Sequence, residues 1–132
     1  MRKIAWLAAL LLTSPVAAQT VLPDNLPQGV EIVRSLWCDT PDQLETVLRA
    51  HYVNKVPLSS AVAEINLFNP EACIPARAIV SLGKEVRRFT AGDAVLAVRE
   101  ARVHGVMRGP YAMIMRPQTW YSARVVAELT PL

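Results

Sequence analysis

The chain has little of what enzymes usually advertise. Among 132 residues there are two cysteines, two histidines and five glycines. A metal centre needs three or four ligands, and Cys38, Cys73, His51 and His104 show no CxxC or HxxxH spacing. No metal and no cofactor are therefore expected. Five scattered glycines supply no phosphate-cradling loop, and neither a GxSxG elbow nor a cluster of paired carboxylates occurs. There is no block of like charge, no internal repeat and no low-complexity tract. No stretch after the first dozen residues is long and apolar enough to span a bilayer at ~20 residues.

The beginning of the chain, MRKIAWLAALLLTSPVAAQT, is the exception to this plainness. Arg2 and Lys3 precede an apolar run from Ile4 to Leu12, a break at Ser14-Pro15 and the small residues Val16-Ala17-Ala18. That layout predicts a secretory signal peptide over 1–18, cut before Gln19, and places the mature protein in the periplasm or outside the cell. No stable membrane insertion is expected once it is cut. Residues 19–30, with two prolines and a glycine, read as an extended leader. Residues 31–132 suffice for one domain.

Charge is unevenly divided. Residues 19–75 hold three cations and seven acids, whereas 76–132 hold nine cations, eight of them arginine, and four acids. Two such halves attract one another within a fold, or the basic half offers arginine to an anionic partner. The spread of the arginines favours the first reading. With the signal removed the balance is close to neutral, so nucleic acid is not an expected partner.

In an oxidising compartment Cys38 and Cys73 are expected to pair, stabilising the fold by roughly 3–4 kcal/mol on the chain-entropy model. A catalytic thiol at Cys38 would have to stay reduced there. Thr40-Pro41-Asp42-Gln43 is a helix start, with a side-chain cap, a proline at the first position and a capping-box glutamine. Leu44, Val47, Leu48, His51 and Tyr52 then share one face, which places His51 at the edge of a buried stripe. A second helix is predicted from Leu58 to about Asn66, with Leu58, Ala61, Val62 and Ile65 inward.

Strands dominate elsewhere. Glu31–Trp37 alternates weakly. Beyond Ile74, ARAIVSL, KEVRRFTA, AVLAVREARVHGVM, YAMIMRP and WYSARVVAEL are separated by turn signals at Gly83, Ala91-Gly92-Asp93, Arg108-Gly109-Pro110 and Pro117-Gln118-Thr119. In the third of these, Val95, Ala97, Ala101, Val103 and Met107 alternate with Glu100, Arg102, His104 and Arg108, as in a sheet with one wet face. AVLAVREAR also suits a helix by propensity; the longer period-2 match favours strand. The predicted fold class is α+β: two N-terminal helices packed on a four- to five-stranded antiparallel sheet or partly closed barrel.

The order of features (signal peptide, CDTPDQ before a helix, a second cysteine, GKEVRRFTAGDAVLAVREARV and a late WY pair) resembles small exported proteins of Gram-negative bacteria. The resemblance implies a periplasmic location and attaches no activity. The leading functional expectation is a non-catalytic binding module for a protein or cell-envelope component. Its candidate face comprises Arg99, Arg102, His104, Arg108, Tyr111, Trp120 and Tyr121, since arginine and aromatics are favoured interface anchors. A small envelope-directed hydrolase using His104 with Glu100, or a proteinaceous inhibitor of an envelope-attacking enzyme, are the alternatives.

Overall fold

The structure, a computed structural model, describes the backbone of Ala18–Val21 and all of residues 26–129. The expected signal segment, Ala18 apart, lies outside the described residues. The elements run β1 (Ala18–Val21), β2 (Glu31–Cys38), α1 (Pro41–Tyr52), α2 (Leu58–Phe68), β3 (Cys73–Ala91), β4 (Ala94–Arg108) and β5 (Tyr111–Glu128).

Helix α1 forms where its start signal predicts. Thr40 Oγ1 accepts from the Gln43 amide and the Gln43 side chain accepts from the Thr40 amide, each at 3.1 Å. Two orphan donors are thereby satisfied reciprocally. Leu44, Val47 and Leu48 are buried, as their spacing requires. Helix α2 has no side-chain cap, and its anchor is at the other end. Asn66 Nδ2 donates to the Cys73 carbonyl at 2.9 Å, and its Oδ1 accepts from the Cys73 amide at 3.0 Å. One side chain thus performs the pairing that a neighbouring strand would otherwise supply.

Cys38 and Cys73 are directly opposed in the antiparallel β2–β3 register and are joined by a disulfide across 35 residues. Both are fully buried. The two helices are therefore a cross-linked excursion between paired strands. This corrects the expected fold class. The helices follow β2 instead of forming an N-terminal layer, and the sheet is not a clear barrel, since β2 meets β5 at a single bridge, Cys38↔Tyr121. The strand order is β1-β5-β2-β3-β4, with β5 also paired along β4.

The sequence breaks expected at Gly83 and Pro117 are bulges inside continuous strands. Gly83 lies in the register shift between Leu82 and Glu85. Pro117 lies where β5 residues 115–117 face only His104 of β4, between the pairs Val103↔Gln118 and Gly105↔Ile114. A bulge leaves a residue without a ladder bond, so proline's missing N–H costs nothing there. The β3–β4 turn does use its glycine. Gly92 has a φ of +59°, and a Cβ there would stand 2.5 Å from the Tyr52 carbonyl oxygen.

Each sheet face builds a core. On one, Leu44, Val47, Leu48 and Ala61 of the helices meet Cys38, Cys73, Phe89, Leu96 and Val98, with Leu36, Tyr121 and Ala123 packed alongside. On the other, Trp37, Ala78, Val80, Ala101 and Val103 cluster with Val33, Leu82, Met115 and Trp120. Trp37 is 1% exposed, and its indole N–H donates to the Ala76 carbonyl at 3.0 Å. Strand β4 records both environments. Leu96, Ala97 and Val98 are buried in succession because the helices cover the outer face there. Farther along, Arg102 is exposed between buried Ala101 and Val103, and only that half has the expected wet face.

The acidic and basic halves of the sequence attract one another at one place. Arg87 Nη1 donates to Asp42 Oδ1 at 2.7 Å and to Glu45 Oε1 at 3.0 Å. Arg49 donates to Glu45 at 2.8 Å and to the Thr90 carbonyl, and its guanidinium lies 4.9 Å from the Phe89 ring centre. These contacts tie α1 to β3. They hold the Glu45 carboxyl below its ordinary range, first through the Arg49 hydrogen bond.

Candidate functional site

The residues expected to form one binding face are divided among five places. Arg102 and His104 stand on the helix-free part of the outer face. Arg108 and Tyr111 are opposed at the β4–β5 turn. Tyr121 is packed beneath the helices, and Trp120 against the second core. Arg99 projects from the second-core side of β4 into a cleft. As adjacent strand residues must, Trp120 and Tyr121 point to opposite faces.

The two histidines have polar partners. His51 Nδ1 donates to the Val56 carbonyl at 2.9 Å, and its ring meets Tyr52 edge-on at 4.9 Å. It closes the end of α1. His104 Nε2 lies 2.9 Å from Ser81 Oγ on the neighbouring strand. Among the described residues, no carboxylate is hydrogen-bonded to His104, so Glu100 does not orient it.

The arrangement with most chemical character lies where β2 and β5 part. Beyond the Cys38↔Tyr121 bridge the two strands separate, and a partly enclosed cleft of about 180 Å³ opens. Val33, Arg34 and Ser35 line one side, and Ser122, Ala123 and Arg124 the other, with Leu82, Ala97 and Arg99 completing it. Strand periodicity explains the composition. Val33, Ser35, Ser122 and Arg124 point to the second-core side, so the apolar floor of Val33, Leu82 and Ala97 is ringed by hydroxyl and guanidinium groups. Arg34 and Ser35 also line a wider cleft of about 500 Å³ with Pro75, Ala76, Arg77, Met107 and Gly109.

Among the described residues, no acid lines either cleft. Glu85 is paired opposite Arg99 in the β3–β4 register. Its carboxyl is held low first by its hydrogen bond from Arg88, then by the charge of Arg88, Arg124 and Arg99. Glu85 is ion-paired to Arg88 at 2.6 Å. Among the described residues, Arg34, Arg77, Arg99 and Arg124 make no ion pair. Arg34 and Arg77 are directly opposed across β2–β3. Like charges so placed cost some tenths of a kcal/mol to about 1 kcal/mol. The fold therefore tolerates repulsion here while neutralising Arg49, Arg87 and Arg88 elsewhere.

Sequence reasoning found Arg99 and missed Arg34, Arg77 and Arg124, each of which stands alone in its own alternating segment. The usable signal was the phase of arginines within each alternating segment: Arg34 in EIVRSLW, Arg77 in ARAIV and Arg124 in SARVV. The pairing that gathers them depends on register, which the segments taken singly do not carry. Comparison with known proteins brings no relative to bear: no family model, no curated protein and no solved structure matches the chain.

Proposed function

We propose that the protein is a non-catalytic binding module of the cell envelope or its exterior, and that it recognises an anionic group on a protein or envelope component. The observation that carries this reading is the set Arg34, Arg77, Arg99 and Arg124 around two clefts that share Arg34 and Ser35 and that no acid among the described residues lines. Arginine suits the role, since its planar fork holds a carboxylate or phosphate in two bonds and sheds water more readily than an ammonium. The apolar floor adds a hydrophobic contact beside the charge. Export follows from the signal-like N-terminus; a cut before Gln19 keeps Gln19, Thr20 and Val21, which pair with Met113, Ala112 and Tyr111 of β5.

The test is binding at low salt of three anionic probes: an acidic peptide, polyglutamate and phosphatidylglycerol vesicles. At least one is expected to bind wild-type protein and to be released by Arg99→Glu/Arg124→Glu, while Arg116→Glu on β5 changes little. If none binds wild type better than the double variant, the reading is wrong. The 2.9 Å contact of Ser81 with His104 favours one further reading, a serine hydrolase with His104 as base. A fluorophosphonate probe that labels wild type and not Ser81→Ala would establish it; no labelling would eliminate it.

A further inference from the structure

We infer that the ligand is an extended acidic peptide segment that adds as a strand to the open edge of β5 beside this cleft. The inference rests on the binding reading above and names its mode. Strand β5 is paired along one edge to β4 from Tyr111 to Glu128, the bulge at 115–117 apart. Its other edge takes β1 at Tyr111–Ile114 and touches β2 once, at Tyr121. From Ser122 to Glu128 that edge has no strand partner among the described residues. The residues along it are mostly exposed, Val125 at 40%. An unpaired edge presents a row of N–H and C=O groups able to bond an incoming strand.

The cleft geometry supports the same mode. Three consecutive residues of β2 and three of β5 line it. Side chains of consecutive strand residues point to opposite faces, so such triplets reach a cleft only where the backbone edge borders it. Continued antiparallel pairing from Cys38↔Tyr121 would set Ser35 opposite Arg124, and that is where the strands stand apart. A volume of about 180 Å³, on the order of six waters, admits side-chain tips and not a whole strand. The incoming backbone therefore lies along the rim, on β5, with alternate side chains entering toward Arg99, Arg124 and the apolar floor.

Charge selects the occupant. A second copy of this chain would set its own Arg124 near the first, and like charges across a strand pair disfavour it. An acidic strand gains those same arginines as partners and gives up no ion pair among the described residues to do so.

The probe is a fluorescein-labelled octapeptide of alternating glutamate and valine, read by anisotropy. Wild type is expected to bind it, about tenfold or more tighter than Arg99→Glu/Arg124→Glu. N-methylation of alternate backbone amides, which needs no variant to fold, is expected to abolish binding in the phase that bonds β5. Amide exchange at Ser122–Glu128 should slow on binding. If the N-methylated peptides of both phases bind as well as the parent, strand addition is wrong although anion binding stands. If phosphatidylglycerol vesicles bind and the peptide does not, the occupant is wrong and the binding reading again stands. If neither binds above the double variant, both fail.

Discussion

Replacing both cysteines, Cys38→Ala with Cys73→Ala, removes the one covalent cross-link of the described residues. The bridge spans 35 residues and encloses both helices. On the chain-entropy model, releasing a loop of that length returns freedom to the unfolded chain equivalent to about 4 kcal/mol at 25 °C. A single domain has about 5–15 kcal/mol in all, so the variant should lose from about a quarter to about four fifths of its stability. Local structure compensates little. Cys38 and Cys73 stay in register through β2–β3, but α1 and α2 have 12 and 11 residues, and helices that short are marginal without their packing. Urea unfolding followed by far-ultraviolet circular dichroism and tryptophan fluorescence measures the loss. At roughly 4–8 °C per kcal/mol for a domain slightly smaller than this one, the melting temperature should fall by about 15–25 °C. In native wild type both sulfurs should resist alkylation, since both residues are fully buried. A stability loss under about 1 kcal/mol, comparable to one surface ion pair, would refute the reasoning.

Two smaller perturbations follow from the same structure. Asn66→Ala leaves the buried Cys73 amide and carbonyl without the partners they have at 3.0 and 2.9 Å, and should cost about 1–3 kcal/mol in urea unfolding; an unchanged midpoint would show that the clamp is dispensable. Glu45 has its folded pKa depressed by Arg49 and Arg87, so its stabilisation is present above the ordinary carboxylate range and is lost as pH falls through the lower folded value. Glu45→Gln should therefore be less stable than wild type near pH 7, by about 1 kcal/mol or less for so exposed a pair. The gap should close toward pH 2; a constant gap would contradict the assignment.

Local signals in the sequence were fully legible where the physics is local. The Thr40-Pro41-Asp42-Gln43 start places α1 at Pro41, and the even cysteine pair behind a signal-like N-terminus anticipates the bridge. What failed depends on partners distant in sequence. Gly83 and Pro117 read as strand breaks because propensity treats each as a terminator, and only the register against β4 turns them into bulges. The helices read as a layer of their own because nothing in LSSAVAEINLF says that the chain returns to pair with β2 at Cys73. The candidate face dissolved for the same reason. Parity within one strand keeps Arg102, His104 and Arg108 together and puts Arg99 on the opposite side, which the candidate face did not respect, and where the helices end decides which outward residue is covered. Arg34 joins Arg124 only through the parting of β2 from β5, which no single segment announces.

The most direct test of the central claim is a charge swap at the cleft. Wild-type protein and Arg99→Glu/Arg124→Glu are titrated with two labelled octapeptides, one alternating glutamate with valine and one alternating lysine with valine. The account predicts that wild type prefers the acidic peptide and the double variant the basic one, with both preferences shrinking as salt screens the charges. If the two proteins show the same preference, the arginines of the β2–β5 cleft do not select the ligand.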